Sequence, residues 1–328
     1  MLASAFLPAD WPWWSPERGH WRRWQHPQWA AQQVDCWIYQ LQEPSRVLSG
    51  NKLAKLDPPL QQALAEGRRG LATFGGAFSN HLAATAAACA QLGLASVGWV
   101  RSFQALDRAN PTLNFCHQQG MVLRALTPQQ YRQRHDPAFL ALLQSDYADY
   151  LWVPEGGSSA DAVAGVARLD LHQTPVGPAT HIATATGSGG TLAGLALGHP
   201  QLKVLGVAVV KDASLFARLQ EWTAHQTNWQ LITDQVGAGY ARCDPELVDF
   251  CLHTSAQLGL GVEPVYTGKA LRGLLRHYQT QPLPPRSRLV FWHTGGLQGV
   301  AGLRYRGVIT PEQAACLLPL SSSSESTA

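Results

Sequence analysis

Residues 181–197 read HIATATGSGGTLAGLAL. The run at 181–185 is short, apolar and rich in β-branched residues, as a strand requires. The segment 191–197 has the length and composition of a helix. Between them Thr186-Gly187-Ser188-Gly189-Gly190-Thr191 forms a glycine-dense turn. Such a turn lets backbone amides point inward, and the helix that follows adds partial positive charge at its N-terminus. The chemistry suits an anion such as a phosphate. It is not a Walker loop, because no Gly-Lys-Ser/Thr follows. Nor is it a dinucleotide fingerprint, because the third glycine would fall at Leu192. A tight strand–helix turn without a ligand is the plain alternative.

The same strand–turn–helix alternation continues on both sides. Periodicity predicts further strands over 70–74, 96–100, 121–126, 150–153, 203–210 and 288–292. It predicts helices over 80–92, 112–119, 137–147, 160–171, 214–225, 245–258 and 269–279. Strands alternating with helices imply an α/β architecture with mostly parallel, doubly wound sheets. No repeat of solenoid or propeller period is present.

Other polar, glycine-bearing segments recur at predicted strand ends. Ser49-Gly50-Asn51-Lys52-Leu53-Ala54-Lys55 places two lysines three apart, on one helix face, after a turn in which Asn51 is suited to capping. A lysine desolvated beside another cation has a lowered pKa and becomes a Schiff-base former, although a solvated face is the usual explanation for such a pair. Gly75-Gly76-Ala77-Phe78-Ser79-Asn80-His81 opens the 80–92 helix, where Ser79 or Asn80 would cap and leave amides for a carboxylate. His293-Thr294-Gly295-Gly296 ends a strand, and Pro264-Val265-Tyr266-Thr267-Gly268-Lys269 opens a helix. Ligands of open α/β sheets bind at strand-end loops, so these segments together argue for one shared site.

Taken together, these motifs resemble the 1-aminocyclopropane-1-carboxylate deaminase/D-cysteine desulfhydrase family of fold type II, tryptophan-synthase-β-like pyridoxal-phosphate enzymes. The resemblance runs from about residue 34 to about residue 303. It implies two open, doubly wound, mostly parallel-sheet domains with pyridoxal 5'-phosphate between them. The larger would comprise 1–65 and 155–328, and the smaller 66–154. Gly50-Asn51-Lys52 looks like the family's cofactor-lysine segment, so Lys52 would carry the cofactor, and Lys55 would contact its phosphate. Gly187, Ser188, Gly189, Gly190 and Thr191 would form the phosphate loop, with Thr294 close by. Ser79-Asn80-His81 matches the family's Ser-Asn-His/Gln segment. Asn80 would support the phenolic oxygen, and Ser79, Asn80 and His81 would face the substrate, with Ser79 as carboxylate contact or proton shuttle. Pro154-Glu155-Gly156-Gly157-Ser158 matches another family segment. Gly237-Ala238-Gly239-Tyr240 and Tyr266 match segments that supply two active-site tyrosines, as proton donors or ring neighbours. On the residues alone, packed aromatics account for both.

His81 and Thr267 match the desulfhydrase branch, where deaminases carry glutamine and glutamate. A threonine hydroxyl at the pyridine nitrogen suits β-elimination from a good leaving group. The resemblance therefore implies a deaminating lyase acting on a small amino acid, converting D-cysteine to pyruvate, sulfide and ammonia. The alternatives are the ring-opening deaminase, racemisation or dehydration of serine-like substrates, and a non-catalytic cofactor-binding relative. Departures from the family pattern are Gln40-Leu41 in place of Arg-Asp, Ala54 between the lysines, Ala241 after Tyr240, and Ser49 before Gly50.

Composition narrows the remaining classes. The 328 residues are 45% hydrophobic and 14% charged, with net charge +3, a globular balance. No basic stripe interleaved with aromatics suggests nucleic acid as a partner. No apolar run approaches the ~20 residues that cross a bilayer, and the N-terminus lacks the features of a signal peptide. Cys36, Cys89, Cys116, Cys243, Cys251 and Cys316 form no CxxC pair and show no metal-ligand spacing, so buried thiols in a reducing cytoplasm are expected. Residues 1–30 hold six tryptophans and read as an arm laid over the domain surface, burying its rings, or as a dimer contact. Residues 321–328 read as a polar tail. Family members often form homodimers, and the chain's own residues leave its oligomeric state open.

Overall fold

The computed structural model describes residues 15, 18–42, 45–237, 239 and 241–318. Twelve strands are found among them: β1 Gly19–Arg23, β2 Asp35–Leu41, β3 Gly70–Gly76, β4 Ala95–Arg101, β5 Val122–Leu126, β6 Tyr150–Val153, β7 Gln173–Thr174, β8 Gly177–Pro178, β9 His181–Thr186, β10 Lys203–Ala208, β11 Trp229–Ile232 and β12 Arg288–His293. Six of them form one sheet in the order β1-β2-β12-β9-β10-β11, parallel except for the β1–β2 pair. Four form a second sheet, β5-β4-β3-β6, parallel throughout. Strands β7 and β8 make a small hairpin. The expected α/β architecture with two mostly parallel sheets is therefore present.

The central strand β12 shows why the sheet is covered on both faces. Leu289 and Phe291 join one apolar core and Val290 and Trp292 the other, all four fully buried. Strand alternation sends successive side chains to opposite faces, and helices cover each. Burying such side chains contributes about 1.5–3 kcal/mol apiece. Strand β10, on the other side of β9, repeats the division, with Val204 on one side and Leu205 on the other.

The N-terminal arm is described only in part. Trp11, Trp13 and Trp14 of the expected arm lie outside the described residues, as does the 321–328 tail. The described part of that arm, residues 18–30, is built into the fold. Strand β1 adds an antiparallel edge, with Trp21 tilted against Tyr39 at 4.7 Å. Trp24 and Trp29 are 1% exposed and sit in the core beside Tyr278. The rings of Trp24 and Trp29 are thus packed into the core.

Strand order also places the site. The chain leaves β2 for the Lys52 turn, β12 for Thr294-Gly295, and β9 for the 187–191 turn. Because β2, β12 and β9 are adjacent and parallel, their carboxyl ends converge at one sheet edge.

Candidate active site

Lys52 lies in the first turn of the helix Asn51–Ala65. The sequence suggested Asn51 as its cap; instead Gly50 takes that position, with φ 53 and ψ −134. A Cβ on Gly50 would lie 2.1 Å from the Thr294 carbonyl, so this chain crossing demands glycine for space as well as for backbone conformation. Relieved of capping, the Asn51 side chain bridges two parts of the site. Its Nδ2 donates to Thr191 Oγ1 at 2.8 Å, and its Oδ1 accepts from Lys52 Nζ at 3.2 Å. One buried amide thus connects the Lys52 amine with the glycine turn. Gly50→Ala is expected to cost at least about 3 kcal/mol of stability and to abolish cofactor loading, combining a steric clash with forbidden backbone angles. Thermal unfolding of the unloaded protein and its visible absorbance after reconstitution check this.

The lysine pair is electrostatically poised. Lys52 is half-buried, and withdrawal of its amine from water lowers its pKa to about 8. Lys55, 1% exposed, is held well below the usual lysine range by burial first, then by the charges of Lys52 and Arg218. Its Nζ donates to Ser158 Oγ at 2.8 Å, with Ser188 Oγ and the Gly156 carbonyl at 3.5 Å. Ser158 and Ser188 hydroxyls are themselves 2.6 Å apart. Ala54 turns away from this face, fully buried where its carbonyl meets Gly165.

The glycine turn supplies the remaining wall. Gly189 has φ 96 and precedes the helix Gly190–Gly198. A Cβ on Gly190 would sit 3.0 Å from Ser158 Oγ and 3.3 Å from Lys55 Nζ, so the missing side chain keeps an opening between the helix N-terminus and the ammonium. First-turn amides of a helix have no intrahelical acceptor. Hydroxyls, an ammonium and these amides around one opening match the donor set a phosphate monoester requires. The cofactor fits this cradle. Arg218 Nε donates to the Ser188 carbonyl at 3.2 Å and bonds Asp212 from the helix Leu215–Trp222. This cation was invisible in the sequence because its role depends on tertiary placement.

Ser79 caps the helix Asn80–Gln91, its Oγ accepting from the Leu82 amide at 3.3 Å. The Asn80 side-chain oxygen accepts from Gln298 Nε2. His81 is 2% exposed. Thr73 Oγ1 donates its only proton to the Val153 carbonyl at 2.8 Å, so it must accept from His81 Nε2 at 2.8 Å. The ring therefore carries its proton on Nε2. Its Nδ1 has no hydrogen-bond partner among the described residues and lies against Gly157. Burial first, then Lys52 and Lys55, keeps His81 neutral.

Tyr266 lies against Gly187: a Cβ there would be 3.6 Å from its ring. Thr267, fully buried, begins the helix Thr267–Thr280. Its hydroxyl donates to Glu263, whose carbonyl and carboxylate oxygens are both at 3.2 Å. Glu263 was missed in the sequence. Its carboxylate, 1% exposed, accepts the amides of Val265, Tyr266 and Thr267 at 2.7–2.8 Å, while burial raises its pKa to about 7. An acidic residue four positions before the helix was the available signal. Thr294, buried, accepts the Asn51 amide on its carbonyl at 3.4 Å. Tyr240 lies outside the described residues.

Away from this cleft, Asp170, His172 and His199 bring ligand atoms within 4.8 Å of one another. The buried His199 uses both ring nitrogens, one on the Leu195 carbonyl and one accepting the Leu171 amide. The trio is thereby tied into the fold. Among the described residues, no helix is long and apolar enough to cross a membrane.

Fold and site together define a pyridoxal-phosphate enzyme. The model of the family described as "Pyridoxal-phosphate dependent enzyme" matches residues 31–295. A D-cysteine desulfhydrase of Klebsiella pneumoniae (strain 342) is 31% identical, over 76% of this chain and 83% of its own. The bifunctional D-cysteine desulfhydrase/1-aminocyclopropane-1-carboxylate deaminase, mitochondrial, of Arabidopsis thaliana is 28% identical, over 81% of this chain and 73% of its own. The crystal structure of an ACC deaminase homologue superposes with a TM-score of 0.74 at 22% identity, covering 89% of this chain and 93% of its own. The chain belongs to the 1-aminocyclopropane-1-carboxylate deaminase/D-cysteine desulfhydrase family of pyridoxal-phosphate dependent enzymes.

Proposed function

We propose that this enzyme eliminates the β-substituent of D-cysteine, converting it with one water to pyruvate, sulfide and ammonia. The observation that carries the reading is the Lys52 amine, lowered to about pKa 8 and joined through Asn51 to the 187–191 turn. The choice of D-cysteine rests on Thr267 and His81, which match the desulfhydrase branch, and on the D-cysteine desulfhydrase among its relatives. The bound cofactor supplies an electron-withdrawing ring for charge developing at Cα.

In this reading the chain's own groups do the rest. Lys52 would anchor the cofactor, and its Nζ would take the Cα proton of the bound substrate. Ser79 fixes the start of its helix, leaving the Asn80 and His81 amides for the substrate carboxylate. Lys55, Ser188, Gly189, Gly190 and Thr191 hold the phosphate. Asn80 would support the phenolic oxygen of the cofactor and Thr267 its ring nitrogen. Tyr266, with Tyr240 as the other candidate, donates a proton toward the leaving sulfur. Residues 66–154 form the smaller body, set against a larger one made of 1–65 and 155–328, and the enzyme works in the cytoplasm.

A panel of D- and L-amino acids read as oxo-acid release tests the assignment. Pyruvate and sulfide from D-cysteine should exceed 2-oxobutyrate from 1-aminocyclopropane-1-carboxylate by about tenfold or more in kcat/KM; the reverse order identifies the ring-opening deaminase. Tyr266→Phe should load cofactor normally and lose about 100-fold or more in kcat. Unchanged turnover would reduce that ring to packing.

A further inference from the structure

Tyr266, which lies against Gly187, also lines a recess. Its walls include Phe78, Asn80, Ala241, Glu263 and Arg306, together with Tyr266 itself. Two charged groups reach this space, and their hydrogen-bond accounts differ. The Glu263 carboxylate is already filled by three amides and the Thr267 hydroxyl. The Arg306 guanidinium donates once through Nε to the Gly302 carbonyl at 3.4 Å and once through Nη2 to the Ala241 carbonyl at 3.2 Å. A guanidinium has five N–H donors, which leaves three. Its central carbon lies 5.1 Å from the centre of the Phe78 ring, and it pairs with no carboxylate among the described residues.

We infer that Arg306 is a specificity-determining residue, which favours amino acids whose side chain carries a negative charge. The inference rests on the proposed reading of the cleft as an amino-acid site. There the substrate's own carboxylate takes the Asn80–His81 amides. The Arg306 donors are then left for a second acidic group, which extends past Tyr266 into the recess. Glu263 forms no ion pair with Arg306 among the described residues, so it takes up none of the guanidinium's donors.

Aspartate and asparagine have nearly the same shape and differ in charge, so they isolate this effect. The cofactor-loaded enzyme is titrated with each, in both D and L forms, following the visible absorbance of the bound cofactor. In at least one stereochemical series, aspartate should half-saturate at about five- to tenfold lower concentration than asparagine, as a charged hydrogen bond at a partly open site gives. The advantage should shrink in high salt. Arg306→Met should bring the pair within about twofold. Arg306→Gln, which keeps a donor for the Ala241 carbonyl, should do the same, so a local structural defect is separated from loss of charge. Equal binding by the wild type overturns the inference. So does an absence of response to either aspartate, or a preference that survives in both variants. Pyruvate release from D-cysteine is read on the same preparation. Its absence alongside a clear aspartate preference removes the proposed reaction and leaves Arg306 in its role. Its presence without that preference does the opposite.

Discussion

Lys52→Ala will yield a colourless protein that no longer holds pyridoxal phosphate covalently, with turnover reduced by about a thousandfold or more. Two functions would be lost together, since in the proposed reading the same amine tethers the cofactor and later handles the Cα proton. Borohydride reduction of the wild type should fix a pyridoxyl group on the peptide containing residue 52, and the variant should give none. Lys55 stands three residues away on the same helix face, so peptide mapping decides between them. Geometry favours Lys52: the Lys55 ammonium is held by Ser158 at 2.8 Å, with Ser188 and Gly156 further out, whereas Lys52 Nζ bonds the Asn51 amide oxygen. A second variant, Lys52→Arg, keeps the charge without a usable nucleophile and should behave like Lys52→Ala in the reduction assay. Covalent attachment to the wild type should accelerate as pH rises through about 8, because the attacking form is the neutral amine and burial has lowered its pKa to that value. A fixed adduct on Lys55, or colour retained by Lys52→Ala, would overturn the assignment.

How much of this was legible follows from the range of each interaction. The turn at 187–191 announced itself because strand, glycines and helix are contiguous. The helix cap at Ser79 was readable for the same reason. Strand β2 was harder to see from periodicity, because Cys36, Trp37, Ile38 and Tyr39 are all buried and the alternation of a half-exposed strand is missing. Strand β11 is four residues long, and β1 carries polar residues suited to an edge. The cap of the lysine helix was misassigned to Asn51 because the requirement for Gly50 comes from Thr294, more than 200 residues further on. Glu263, Arg218 and Gln298 act through partners that only the folded chain brings near. Family likeness located Lys52 and Lys55 without explaining them. The structure adds the physical cause of their lowered pKa values, which is burial of both amines, with the Lys52 charge adding to the effect at Lys55.

That shared burial shapes the outcome expected for Lys55→Met. Affinity for pyridoxal phosphate should fall about 100-fold, while affinity for pyridoxal, which lacks the phosphate, should change by less than about threefold. Methionine keeps the buried stem but removes the ammonium that donates to Ser158 beside the Gly190 opening. A buried charge-assisted bond to a phosphate is worth about 1.5–3 kcal/mol, and the upper value corresponds to about 100-fold in affinity. The wild type should also show a pH signature that the variant lacks. Before the cofactor arrives, burial and the neighbouring cations hold Lys55 well below the ordinary lysine pKa. A phosphate dianion at the cradle reverses the sign of its surroundings and draws the proton back. Binding then takes up a proton, so affinity must weaken as pH rises between the pKa of Lys55 in the empty cradle and its higher value beside phosphate. Equilibrium dialysis across that range, on the Lys52→Arg background to exclude covalent trapping, gives the slope directly. A phosphate-independent loss in Lys55→Met, equal for pyridoxal and its phosphate, would mean that Lys55 supports the fold near Ser158 and not the anion.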